Sequence, residues 1–188
     1  MNKNDISLII SAPSGTGKTT IIKKMLSDSD LYSFSISTTT RKIRDGEVDG
    51  KNYYFVDVDA FNKMIQNSEF IEWANVHGNL YGTQKKEVSR IIEEGKVPIF
   101  DVDVQGSQHL REILPHGIFV FLLPPSMEEL ERRLRLRYTD TEEQIRIRLK
   151  NAIEEISSKE MFDFILINEN VDEVTKKIDD IVKSRFNS

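Results

Sequence analysis

Four short apolar runs punctuate the chain, at 6–10, 97–104, 118–123 and 162–167. Each is too short for a buried helix and lacks the strict alternation of a half-exposed strand, which predicts strands buried on both faces. The segments between them carry apolar residues three and four apart. Val88, Ile91 and Ile92 form one stripe stopped by Gly95, and Leu110, Ile113 and Leu114 form another ended by Pro115. Val171, Val174, Ile178, Ile181 and Val182 form a third at the 3.6-residue period. Ser126 with Glu129, and Thr141 with Gln144, have the spacing of a capping box opening a helix. Strand and helix alternate, so the pattern predicts an α/β fold around a parallel sheet.

Two stretches break this rhythm. Residues 37–83 are rich in Thr, Arg, Gly, Tyr and Asn, with a strand-like YYFV at 53–56 and a short helix around Phe61, Met64 and Ile65. Residues 126–155 interleave arginine and glutamate with few apolar anchors. Both read as excursions from the sheet within one unit, since no linker, repeat or low-complexity tract separates them.

The length, 188 residues, is that of one ordinary domain with a sizeable core. With 31 acidic against 26 basic side chains the formal charge is −5. A field of that sign repels phosphate, which argues against a protein that coats nucleic acid or anionic membranes and requires any phosphate site to be local. Cysteine is absent, which removes disulfides, thiolate metal sites and cysteine nucleophiles. His77, His109 and His116 lack metal-ligand spacing. The N-terminal apolar run is too short for a signal peptide or a membrane span, so a soluble cytoplasmic protein is expected.

Chemistry enters directly after the first predicted strand. The stretch Ala12, Pro13, Ser14, Gly15, Thr16, Gly17, Lys18, Thr19, Thr20 leads into the helical residues Ile21, Ile22, Met25 and Leu26. Gly15 and Gly17 allow successive N–H groups to form a nest for phosphate oxygens, and the helix N-terminus adds its partial positive charge. Lys18 is a flexible point cation for phosphates, and Thr19 offers a hydroxyl to Mg²⁺. The full pattern has glycine where Ala12 stands. Chance alone gives the Gly-x-Gly-Lys-Ser/Thr half roughly once in a hundred chains of this length or less. The run ending IFDVDVQG carries Asp101 and Asp103, whose spacing on a strand puts both carboxylates on one face, suited to magnesium or a ligand. An acid bounded by such apolar residues also needs a cation beside it.

Six stretches together resemble the guanylate kinase family: APSGTGKTT, SISTTTRKIRDGEVDGKNYYF, FIEWANVHGNLYGT, DVDVQG, ELERRLRLRYTDTEEQIRIRL and ILINEN, in that family's order over nearly the whole chain. The resemblance implies a P-loop kinase fold with a core of 1–36, 84–125 and 156–188, a GMP-binding subdomain at 37–83 and a lid at 126–155. It implies transfer of the γ-phosphoryl group of ATP to GMP, and to dGMP, with Mg²⁺, by a monomer or homodimer. ATP falls to residues 12–20, Arg137 and Asn168, and the metal to Thr19 and Asp101. Arg41, Arg44, Tyr53 and Tyr81 fall on the GMP phosphate, and Ser37, Glu72, Thr83 and Asp103 on the guanine. Lys18, Arg41, Arg133, Arg137 and Arg148 are the implied catalytic cations.

The residue chemistry suits these roles. Two guanidinium groups and two phenols can hold a phosphate dianion from several sides. Glu72 can accept from guanine N1–H and the 2-amino group while a hydroxyl donates to O6, a pattern adenine does not offer. Thr83 stands where the family has serine, and Leu136 and Tyr138 where the lid turn carries glycines. Taken singly, each residue has another reading: Arg41 and Arg44 as a solvated basic turn, Tyr53, Tyr81 and Trp73 as packing aromatics, Glu72 as a surface acid, the lid arginines as surface ion pairs, Asn168 as a turn former. Which of Arg132, Arg133 and Arg135 points inward stays open. So do two other functions, a catalytically inactive protein-interaction module of guanylate-kinase type and a kinase for another nucleoside monophosphate.

Overall fold

The computed structural model describes residues 6–76, 78–136 and 141–186. The short apolar runs become strands because their residues find cover on both sides. β1 (Leu8–Ser11), β7 (Val97–Asp101) and β8 (Ile118–Leu123) are buried almost throughout and lie side by side in a five-stranded sheet of order β2-β7-β1-β8-β9, all parallel. On one face Leu8, Ile10, Ile99, Val120 and Leu122 pack against helix α1 (Lys18–Asp28) and the C-terminal helix α7 (Val171–Phe186) through Ile21, Met25, Val174 and Ile178. On the other, Ile9, Phe100, Phe119 and Phe121 meet Val88 of α3 (Lys85–Glu93) and Leu110 of α4 (Val104–Ile113).

Two strands depart from the expected pattern. β9 (Phe164–Ile167) is a sheet edge: Phe164 and Leu166 face the core, while Ile165 and Ile167 are exposed, so the reading of burial on both faces fails there. The run at 97–104 is a strand only to Asp101. The chain then turns, and Asp103 is the N-cap of α4, its carboxylate accepting from the Gly106 N–H at 2.7 Å. Asp101 and Asp103 therefore do not share a strand face; one ends β7 and the other opens α4. A short β2 (Tyr32–Phe34), too brief to stand out in the apolar pattern, completes the sheet.

The first excursion is a second sheet of order β4-β3-β6-β5, built from β3 (Thr38–Thr39), β4 (Tyr54–Phe55), β5 (Phe70–Val76) and β6 (Asn79–Gln84). Helix α2 (Val58–Gln66) anchors it by stacking Phe61 on Phe70 with ring centroids 4.5 Å apart. Trp73, expected as a packing residue, stands 42 % exposed on the solvent side of β5. The second excursion is two helices, α5 (Met127–Arg135) and α6 (Glu142–Ser157), followed by a 3₁₀ turn at Lys159–Met161. Thr141 and Gln144 form the complete capping box. Ser126 accepts from the Glu129 N–H, but the Glu129 side chain turns to Arg132 and Arg133 instead of back to the cap. The few apolar anchors are well used: Leu130, Leu134 and Ala152 are fully buried. No described helix is long and apolar enough to cross a membrane.

Candidate active site

β1 ends in the glycine loop, and the loop owes its shape to two positive backbone angles, φ +97° at Gly15 and +101° at Gly17. Only glycine adopts these readily, and both sites are also closed to a side chain. A Cβ at Gly15 would lie 2.9 Å from Leu134 of α5, and one at Gly17 would lie 2.7 Å from the Asn168 amide. The Thr16 N–H closes the turn onto the Pro13 carbonyl at 3.1 Å. The Thr16 carbonyl is held from behind by Asn168 Nδ2 at 2.7 Å and an Arg133 guanidinium nitrogen at 3.0 Å. This settles the orientation left open by the sequence. Arg133 points inward, whereas Arg132 and Arg135 pair with Glu129, Glu131 and Glu142 on the surface.

The loop forms one wall of a cleft of about 450 Å³. Residues 12–15 and 17–20 of the glycine loop line it, facing Ser37, Tyr53, Glu72 and Tyr81 of the second sheet, with Asp101 and Asp103 at its floor. This lies beyond the C-terminal ends of β1 and β7, beside the strand where the sheet order reverses, which is where open parallel sheets bind ligands. Lys18 reaches across the floor to Asp101 at 2.5 Å and to the Val102 carbonyl at 3.0 Å. It is the cation that Asp101 requires in its apolar setting.

The opposite wall follows from strand pairing. A bulge at Phe70 to Glu72 brings Glu72 directly opposite Thr83, and the Thr83 hydroxyl donates to Glu72 Oε1 at 2.7 Å. Glu72 is 8 % exposed. Burial is the chief cause that pushes its carboxyl up to about 7, with Asp103 nearby adding to the shift and the Thr83 bond opposing it. Beside it Tyr53 and Tyr81 meet edge to face, with centroids 5.9 Å apart, and the Arg41 guanidinium lies 5.2 Å from the Tyr53 ring centroid. Arg41 is bonded to Glu47 at 2.7 Å, which holds the Glu47 carboxyl below its usual range. Arg44 stands exposed, its backbone N–H donating to the same Glu47.

Other expected residues stand outside the wall. Thr16 and Asn168 lie behind the loop, Thr83 is reached through Glu72, and Arg148 is half-buried on α6. Arg137 lies outside the described residues, as do Tyr138 and His77. The cleft also recruits Ala74 and Val76, Gly106, and Glu155. Ala74 and Val76 follow Glu72 at the two-residue period of β5, and Glu155 follows Arg148 by two helical turns, so both were signalled by spacing. Burial raises the Glu155 carboxyl, opposed by the Lys18 charge.

The sequence profile described as guanylate kinase matches residues 5–185. The chain belongs to the guanylate kinase family. The guanylate kinase of Nitratidesulfovibrio vulgaris is 48 % identical over 170 residues, covering 90 % of this chain and 82 % of that protein. That of Clostridioides difficile is 41 % identical over 185 residues, covering 98 % and 90 %. Among solved structures, guanylate kinase from Anaplasma phagocytophilum superposes with a TM-score of 0.80 at 34 % identity, covering 97 % of this chain and 87 % of that one. The SH3-kinase fragment of tight junction protein 3 shares the fold alone, at 12 % identity and a TM-score of 0.52, over 96 % of this chain and 57 % of that one.

Proposed function

We propose that this guanylate kinase transfers the γ-phosphoryl group of ATP to GMP, giving ADP and GDP. The observation that carries the reading is the buried Glu72–Thr83 pair facing the glycine loop across one cleft. The carboxylate accepts from guanine N1–H and the 2-amino group, and the Thr83 hydroxyl turns from Glu72 to O6. Ser37 and Asp103 complete the guanine side. Arg41 and Arg44 take the GMP phosphate with the Tyr53 and Tyr81 hydroxyls, Arg41 exchanging Glu47 for it.

On the donor side, the loop N–H groups and Lys18 hold the ATP phosphates, Lys18 leaving Asp101 to do so. Thr19 and Asp101 are hard oxygen donors lining the same cleft, and they are the residues that would hold a Mg²⁺ ion, directly or through water. Bound there, the ion would supply charge neutralisation for the ATP phosphates. An oxygen of the GMP phosphate attacks the γ-phosphorus as the bond to the β-bridging oxygen breaks, leaving ADP. No general base is needed, because the phosphate is a nucleophile near neutral pH. Arg133, Arg148 and Arg137 neutralise the charge spread over the transferring group. By this reading 37–83 is the GMP subdomain and 126–155 the lid.

An assay of ADP release with GMP, dGMP, AMP, CMP, UMP and dTMP tests this. Turnover with GMP and dGMP alone is expected. Turnover with none would favour a protein-interaction module, and a preference for AMP would remove the Glu72 assignment.

A further inference from the structure

Glu87, in the first turn of α3, is almost fully buried and takes no part in the cleft, yet beyond its own helix it touches the connection between β2 and β3 and the strand β4. Its Oε1 accepts from the backbone N–H of Ile36 at 3.3 Å and from Arg90 at 2.9 Å. Its Oε2 accepts from Arg90 Nε at 3.3 Å and stands 3.5 Å from the Tyr54 hydroxyl, at the outer limit of a hydrogen bond.

The position of Ile36 gives these contacts a consequence. The preceding residue, Ser35, still donates to Ile99 of the core sheet at 2.9 Å. The following residue, Ser37, already belongs to the second sheet, its carbonyl accepting from Tyr54 N–H at 2.9 Å. Ile36 is thus the single residue at which the chain passes from one sheet to the other, and Glu87 is the acceptor that holds its amide. The returning crossing, Gln84 to Lys85, immediately precedes the helix turn that carries Glu87, and Gln84 is itself tied to Thr38 at 2.5 Å. One carboxylate therefore sits between both crossings and also touches Tyr54, the neighbour of Tyr53.

We propose that Glu87 is a positioning residue for the acceptor nucleotide: it fixes the junction of the two sheets and so sets where Ser37 and Tyr53 stand relative to the glycine loop. Arg90, which is part-exposed and also bonded to Glu94, compensates the charge that burial of Glu87 would otherwise leave unpaired. The role rests on the reading of the second sheet as the GMP side. Its signature is a loss confined to that side, because the loop, Lys18 and Asn168 are built on elements that Glu87 does not touch.

The test compares Glu87→Ala with Glu87→Gln in the full chain. Glu87→Ala removes the acceptor, and we expect KM for GMP to rise about 5- to 30-fold while KM for ATP stays within about twofold, as misplacement of one reactant predicts. Glu87→Gln keeps an oxygen for the Ile36 amide and should restore KM for GMP to within about threefold of wild type. Hydrogen exchange at the Ile36 amide supplies a readout independent of turnover, with protection lost in the alanine variant and retained in the glutamine variant. If both KM values rise together, if neither moves, or if Ile36 stays protected in Glu87→Ala, the positioning role is wrong. Should Glu87→Ala fail to fold, a glutamine variant with lost Ile36 protection and unchanged KM for GMP overturns it equally. A wild-type protein inactive on GMP would instead overturn the functional reading beneath it.

Discussion

Glu72 shows how burial and function oppose each other in one side chain. Its carboxyl is raised to about 7 because water is excluded, while the proposed contact with guanine calls for the carboxylate. GMP binding therefore expels a proton below neutrality, so affinity should rise between pH 6 and pH 8. Titration calorimetry in buffers of different ionisation enthalpy would register the proton. Glu72→Gln should abolish that component, leaving only the titration of GMP's own phosphate, and should raise KM for GMP by about 10- to 100-fold. The same shift has a stability sign. An acid whose folded value is raised keeps its full stability below its ordinary value of 4.5 and loses it as pH rises through 7. Without nucleotide, Glu72→Gln should therefore gain on the order of 1–3 kcal/mol over wild type at pH 8, measured by urea unfolding, and little at pH 4.5. An equal gain at both would mean the carboxyl is not raised. Among the arginines, Arg133→Ala should lower kcat by about 10²-fold or more, whereas Arg132→Ala and Arg135→Ala, which break surface pairs, should change it by less than about threefold. Sequence spacing identified these candidates and left their orientation open, because three arginines within four positions of a helix differ only in which face is covered.

At the scale of elements, the glycine loop depends on α5 as much as on β1. Leu130 and Leu134 occupy the space beside Gly15, so Gly15→Ala meets both a left-handed backbone and a filled site. It should cost about 2–4 kcal/mol by urea unfolding and weaken ATP binding together with stability. A stable variant with normal ATP binding would show that the contact is not formed. The loop, β1, β7 and β8 were legible in sequence because continuous apolar runs have few other uses in a chain of this length. The second sheet was legible only as an excursion. β3 and β4 have two residues each, and Glu72 stands opposite Thr83 through a bulge that no periodicity announces. Asp103 was misread as strand because DVDV alternates like one, although an aspartate three residues before a glycine N–H is also a helix cap, and the cap prevailed. β9 looked like an inner strand from its apolar run, but among the described residues it is the edge of the sheet, and Ile165 and Ile167 stand exposed.

The whole molecule carries a formal charge of −5, yet its predicted ligands are two phosphate-rich nucleotides. The structure shows how both hold. Among the described residues Lys18 alone of the implied cations lies in the cleft wall, paired with Asp101, while Arg41 is bonded to Glu47 and Arg133 to the loop carbonyl. These three cations are each kept on an internal partner that a phosphate can replace, so local attraction does not require a positive protein. Closure of the second sheet and of α5 and α6 over the loop is expected to accompany that exchange, and small-angle scattering should show a smaller radius of gyration with GMP and a non-hydrolysable ATP analogue than with neither; an unchanged radius contradicts closure. If Glu72 and Thr83 read guanine, they set the cleft's preference for GMP. That preference is measured as the ratio of kcat/KM for GMP over AMP, from competition of equimolar base-labelled GMP and AMP with unlabelled MgATP, counting labelled GDP against labelled ADP. A ratio of about 10⁴ or more is expected in the wild type, falling by about 10- to 100-fold in Glu72→Gln. A wild-type ratio near one, or a ratio that survives the substitution, would contradict it.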